Sequence, residues 1–174
     1  MSTLQPRPSQ LDRDGFIQAF GGVYEHSPWI AAGAFDAGLG PDADQASRLA
    51  QKMAAVVDMA EPAKKLALLQ AHPELAGKLA IAGGLTSESK REQAGAGLDQ
   101  CSPEEFDQFQ LLNQRYRARF DFPFIIAVCG LDRVAILSAF AQRVENSRQI
   151  EFETALKQVH RIALLRLRRM VKAD

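Results

Sequence analysis

The stretch Phe122-Pro123-Phe124-Ile125-Ile126-Ala127-Val128-Cys129-Gly130 is an uninterrupted apolar run that follows directly on Asp121. It decides the fold class. Periodicity alone allows a buried strand or the start of a buried helix. A strand needs partners for its main-chain groups, and no second stretch reads as a strand. The expectation is therefore an extended lead-in at Phe122-Pro123 that passes into a buried helix. The chain then reads as an all-α, single compact multi-helix domain over residues 1–174, with one extended apolar segment near Phe122–Ile126. Residues 1–10 are expected to be flexible.

Helix signals fill the rest of the chain. Phe16, Ile17 and Phe20 stand at helical spacing from about Asp12, and Gly21-Gly22 ends that segment. Ser27-Pro28 reads as an N-cap with proline at the first helical position, opening a helix towards Gly38. Leu49, Met53, Val56 and Val57 form one face of a helix from about Asp44 to Met59. Glu61-Pro62 restarts the chain, and Pro73 disfavours helical geometry at His72. Ser102-Pro103-Glu104-Glu105 has the form of a capping box, and its helix carries Phe106, Phe109, Leu112, Tyr116 and Phe120. Asp132 opens a helix through Ile136, Leu137 and Phe140. The last helix runs from about Ile150 to Val171, with Phe152, Leu156, Val159, Ala163 and Met170 on one stripe.

A chain of 174 residues can bury a hydrophobic core without metals or disulfides. Its formal net charge is zero, which gives no reason to expect nucleic acid or an anionic membrane as partner. The basic stretch Arg161 to Lys172 alternates with leucines and reads as the wet face of the last helix. Cys101 and Cys129 are too few for a disulfide framework and form no C-x-x-C pair. No run approaches the roughly 18 apolar residues of a membrane span, and Met1–Gln10 lacks a signal-peptide core. A cytoplasmic protein is expected.

Few residues are left to carry chemistry. No two of His26, His72 and His160 are spaced as metal ligands, so no metal is expected. His160 lies within the last helix and His26 beside a helix start, and both read as structural. His72 stands at a junction fixed by Pro73, where an imidazole can be aimed, and its ordinary titration range suits proton transfer at neutral pH. Histidines also cap helix ends, so spacing alone leaves both readings open. Thr86 or Ser87 can cap a short helix on which Ser89, Glu92 and Gln93 share a face. A hydroxyl, a carboxylate and an amide there suit a ligand rich in N–H and C=O groups, or else form a solvated face. Gly95-Ala96-Gly97 is too short to cradle a phosphate.

Several motifs in order resemble the 2-oxo-4-hydroxy-4-carboxy-5-ureidoimidazoline (OHCU) decarboxylases. They are Tyr24-Glu25-His26-Ser27-Pro28-Trp29, His72-Pro73-Glu74-Leu75-Ala76-Gly77, Leu85-Thr86, Ser89-x-x-Glu92-Gln93, Ala96-Gly97-Leu98 and Phe122-Pro123-Phe124-Ile125. Ile136-Leu137, Glu153-x-Ala155-Leu156 and Ile162-Ala163 continue the match, which spans about residues 11 to 170. The resemblance implies an all-α fold, commonly a homodimer, that needs no cofactor and converts OHCU to (S)-allantoin in urate breakdown. It implies His72 as catalytic centre, and Glu92 is read as the second catalytic residue, orienting the substrate or the imidazole. It also implies substrate contacts from Pro73, Ser89, Glu92, Gln93, Phe124, Ile125 and Ile126. Many members carry a basic residue where this chain has Cys129, so another group such as Arg133 would hold the substrate carboxylate, or that role is dispensable. Two competing readings are a non-catalytic helical binding module and a same-fold enzyme acting on a related ureido acid.

Overall fold

Four helices in this chain begin where a side chain takes up a free N–H group of the first turn. The computed structural model describes residues 3–77 and 83–172. Asp12 Oδ1 accepts Gly15 N–H at 2.8 Å and opens α1 (Arg13–Phe20). Pro28 and Pro62 precede or begin α2 (Trp29–Asp36) and α4 (Pro62–Gln70), with α3 (Ala46–Asp58) between them. Thr86 caps α5 (Ser87–Gly95). Ser102 and Glu105 form the expected capping box at α6 (Pro103–Phe120). Asp132 accepts from Ala135 N–H and opens α7 (Arg133–Arg143). The last helix is α8 (Arg148–Arg169). Two short strands, β1 (Thr3–Leu4) and β2 (Val171–Lys172), pair antiparallel. The described chain is therefore all-α apart from this one two-residue ladder.

By its internal contacts the chain divides into two compact units, residues 1–71 with 160–174, and residues 72–159. In the first, Phe16 packs on Phe20 and Phe35 at ring-centroid distances of 4.9 and 5.5 Å. Gly33 lets α2 close on α3, because a Cβ there would stand 2.8 Å from Val56 Cγ1. Arg166 and Glu25, both buried, form an ion pair at 2.8 Å, and the same Arg166 nitrogen lies within 3.5 Å of the Gly22 and Val23 carbonyls.

Four expectations need correction here. Leu4 is fully buried and Pro8 is buried in a 3-10 turn, so residues 3–10 are built into this unit; Met1 and Ser2 lie outside the described residues. Ser27 does not cap α2: its hydroxyl donates to the Glu25 carbonyl instead. The basic stretch is not uniformly wet, because Arg166 points into the core to meet Glu25. The last helix also stops at Arg169, where Met170 and Gln5 begin the strand pairing through Gln5 N–H to Met170 O at 3.0 Å.

The second unit is centred on Tyr116. Its ring meets Phe122, Phe124 and Phe140 edge-on at 5.8, 5.5 and 5.7 Å, and Phe124 stacks on Phe140 at 3.9 Å. The apolar run does start extended, as expected, but the buried helix after it does not form. Side chains from neighbouring helices supply the main-chain partners that a helix would have supplied. Arg143 donates to the Ile125 carbonyl at 2.8 Å, and Gln158 accepts the Ala127 N–H at 2.9 Å. The extended path also lets Phe122, Phe124 and Ile125 all be buried.

Candidate active site

His72 falls two residues past the end of α4 and is 7% exposed, followed by the half-buried Pro73. The loop it opens is held by side-chain amides. Gln93 of α5 accepts the Ala76 N–H through Oε1 at 3.1 Å and donates from Nε2 to the Glu74 carbonyl at 3.3 Å. Gln110 of α6 donates to the Ala76 carbonyl at 2.8 Å, and Asn113 donates to the Leu75 carbonyl at 2.9 Å. Arg117 reaches the Glu74 carboxylate at 3.2 Å.

This bracing has a cause. Ala76 adopts φ +48°, a left-handed conformation that costs a non-glycine residue about 1–2 kcal/mol. Strain of that kind persists where the surroundings over-determine the backbone, and both main-chain groups of Ala76 are gripped by glutamines.

On α5, Ser89 and Gln93 are one turn apart and both buried, with Glu92 half-buried between their positions. The polar face is therefore turned inward and is not a solvated surface. Gln93 does more than the sequence suggests: it braces the loop after His72 while keeping a second N–H and a second oxygen lone pair for other partners.

The apolar run from Phe122 packs against α6, the helix that also braces the loop after His72. Asn113 and Tyr116 are three residues apart on α6 and so share a face. The first holds the His72 loop and the second packs against Phe124. Phe124 and Ile125 are buried and Ile126 is half-buried. Arg143 stacks over Phe124, its guanidinium carbon 4.4 Å from the ring centroid. Glu151, fully buried, accepts from Arg143, Asn146 and the Tyr116 hydroxyl. Burial, reinforced by the bond to Glu151, pushes the Tyr116 phenol far above its usual range, so it stays a neutral donor.

A cavity of about 440 Å³ is lined by Leu85, Lys90, Leu98, Cys101 and Phe106 together with Ala76 and Gln93. It touches the braced loop, but its described lining does not include His72, Ser89, Glu92 or Phe124–Ile126. Arg133 already pairs with Glu105 at 2.9 Å and donates to the Gly97 carbonyl, so it is not a ready substitute at the position of Cys129. Among the described residues no three His, Cys, Asp or Glu side chains gather as a metal site.

Sequence reasoning passed over Gln110, Asn113, Arg117, Arg143 and Glu151. One signal was available: Asn113 interrupts the Phe109, Tyr116, Phe120 stripe, and a buried amide on an apolar stripe must have a partner.

The family model for OHCU decarboxylase matches residues 9–168. The chain belongs to the OHCU decarboxylase family. It is 43% identical over 165 residues to the 2-oxo-4-hydroxy-4-carboxy-5-ureidoimidazoline decarboxylase of Haloferax volcanii, covering 95% of this chain and 94% of that protein. It is 42% identical over 159 residues to the enzyme of the same name from Halalkalicoccus jeotgali, covering 91% and 86%. Among solved structures it resembles (S)-allantoin synthase with a TM-score of 0.74 and 31% identity, over 93% of this chain. The match takes in 51% of the synthase chain, so this protein spans about half its length.

Proposed function

We infer that this family member is a carboxy-lyase that decarboxylates OHCU to (S)-allantoin in urate breakdown, with His72 as its proton-transfer centre. The observation that carries the reading is the family match over residues 9–168, together with near-full-length identity to OHCU decarboxylases. The same match runs across both units, which supports treating the whole chain as one catalytic domain.

The substrate supplies its own electron sink. The carbon that carries the carboxylate also carries a hydroxyl and lies beside a ring C=N bond. When the bond to the carboxylate breaks, its electron pair forms a C=C bond to the neighbouring carbon, and the C=N pair moves onto nitrogen. The hydroxyl then becomes a carbonyl as the neighbouring carbon takes a proton. One carbon dioxide leaves and one proton is gained overall. Such a route borrows no sink from pyridoxal or thiamine.

What the protein must supply is position and one-sided protonation. His72, buried on a strained and braced loop, fits a proton-transfer group held to one orientation. Glu92 orients the substrate or the imidazole. Ser89, Gln93 and Pro73 bind the ring and ureido groups, with Phe124, Ile125 and Ile126 as the opposing wall. The reading also takes the enzyme to be a cytoplasmic homodimer acting on a small molecule. The absence among the described residues of any helix long and apolar enough to cross a membrane is compatible with it.

The test is the optical activity of allantoin formed from freshly generated OHCU. Unassisted protonation comes equally from both faces and yields a racemate. The wild-type protein should both speed OHCU loss and give a growing circular dichroism signal. Racemic product formed at the uncatalysed rate from folded protein contradicts the assignment.

A further inference from the structure

The segment from Phe122 to Val128 is neither helix nor strand, yet it is pinned at two points. Arg143 Nη1 donates to the Ile125 carbonyl at 2.8 Å, and Gln158 Oε1 accepts the Ala127 N–H at 2.9 Å. The two pins fall on consecutive peptide planes. A peptide group is planar, so fixing one end of it fixes the other. The plane held at the Ile125 carbonyl also carries the Ile126 N–H. The plane held at the Ala127 N–H also carries the Ile126 carbonyl. Neither main-chain group of Ile126 bonds to any described residue. The pins therefore orient one donor and one acceptor that no other described residue takes up.

Arg143 is itself aimed. Glu151 takes its Nε at 2.8 Å and its Nη2 at 2.5 Å, and also accepts from Tyr116 and Asn146. Nη1 is left pointing at Ile125. The Arg143 guanidinium lies over Phe124, whose other face is covered by Phe140. A buried ion pair is weak evidence for stability, since apolar residues of similar volume often serve as well. Fixing a geometry is a better account of this one.

We propose that Arg143, aimed by Glu151, is a positioning residue that together with Gln158 presents the Ile126 N–H and carbonyl as a donor–acceptor pair for the ureido or ring amide groups of the substrate. This rests on the reading that Phe124–Ile126 faces the substrate. Arg143 touches no substrate and acts through the Ile125 peptide.

The experiment is steady-state kinetics on OHCU, with circular dichroism of the allantoin formed, for wild type, Arg143→Lys, the double variant Arg143→Met with Glu151→Gln, and Gln158→Leu. The double variant removes both charges together, so no lone buried charge is left to unfold the protein. Gln158→Leu tests the second pin in a half-buried side chain should the double variant fail to fold. Lysine cannot serve Glu151 and Ile125 in the bidentate way of arginine. A lost orienting hydrogen bond should raise KM about tenfold in each pin variant, with kcat and its pH profile close to wild type. Arg143→Lys should lie between. Partial unfolding would instead lower kcat in proportion to the folded fraction and leave KM alone. KM values within twofold of wild type in the folded pin variants overturn the proposal. Wild-type protein that yields racemic allantoin at the uncatalysed rate removes the functional reading and this inference with it. An active, His72-dependent wild type with insensitive KM removes this inference alone.

Discussion

The Gln93 carboxamide oxygen accepts the Ala76 N–H at 3.1 Å, tying α5 to the left-handed residue four positions after His72. The same side chain donates to Glu74 O. Gln93 thus holds the loop that follows His72.

Bracing and substrate binding give different kinetics at this position. Gln93→Ala leaves the Ala76 N–H without its acceptor in a buried loop, which should lower stability by about 1–3 kcal/mol. It should also lower kcat about tenfold or more, because the imidazole is less well aimed, and raise KM, because the substrate loses the Gln93 amide. Gln93→Glu keeps the acceptor but loses the donor and should fall between. A rise in KM alone, with kcat and urea midpoint unchanged, would assign Gln93 to substrate contact only.

Glu25 and Arg166 should behave as a unit. Arg166→Met leaves the Glu25 carboxylate buried without its cation and should cost about 3–5 kcal/mol in urea unfolding. Adding Glu25→Gln should return most of that loss, since the second charge is then gone as well. Additive losses in the double variant would contradict a coupled pair.

His160 should make acid destabilisation steeper. Burial lowers its basicity below the ordinary 6.5, against an opposing pull from Asp58. The Tyr24 hydroxyl is hydrogen-bonded to Nδ1 at 2.9 Å, in a direction set by the ring tautomer; Asp58 Oδ1 stands 3.5 Å from Nε2, an ion-pair distance without hydrogen-bond alignment. Below pH 6.5 the unfolded chain binds a proton that the folded chain resists. The stability tied to this group is complete above pH 6.5 and is lost as pH falls through the lower folded value. Urea midpoints between about pH 8 and about pH 5 should therefore fall more steeply for wild type than for His160→Gln. Parallel slopes would show that His160 contributes nothing to the linkage.

Four helix starts were legible because their signals are local. Asp12, Thr86, Ser102 and Asp132 each cap the helix that the sequence assigns to them. The Phe122–Gly130 run was misjudged over its second half because its main-chain partners are Arg143 and Gln158, which no local pattern connects to it. Arg166 looked like one more exposed cation until its distant partner Glu25 was placed. In the candidate site, the residue types at 72, 89, 92 and 93 were readable from the chain. The supports at Gln110, Asn113 and Arg143 were not, because their role is defined by which main-chain atoms the fold brings to them.

The most direct test of the central claim is the circular dichroism of allantoin formed from fresh OHCU by wild type and by His72→Ala, with far-ultraviolet spectra showing both to be folded. The account predicts optically active product from wild type, and from His72→Ala only the slow racemic background. Optically active product at near wild-type rate from folded His72→Ala would contradict the assignment of His72 as the proton-transfer centre.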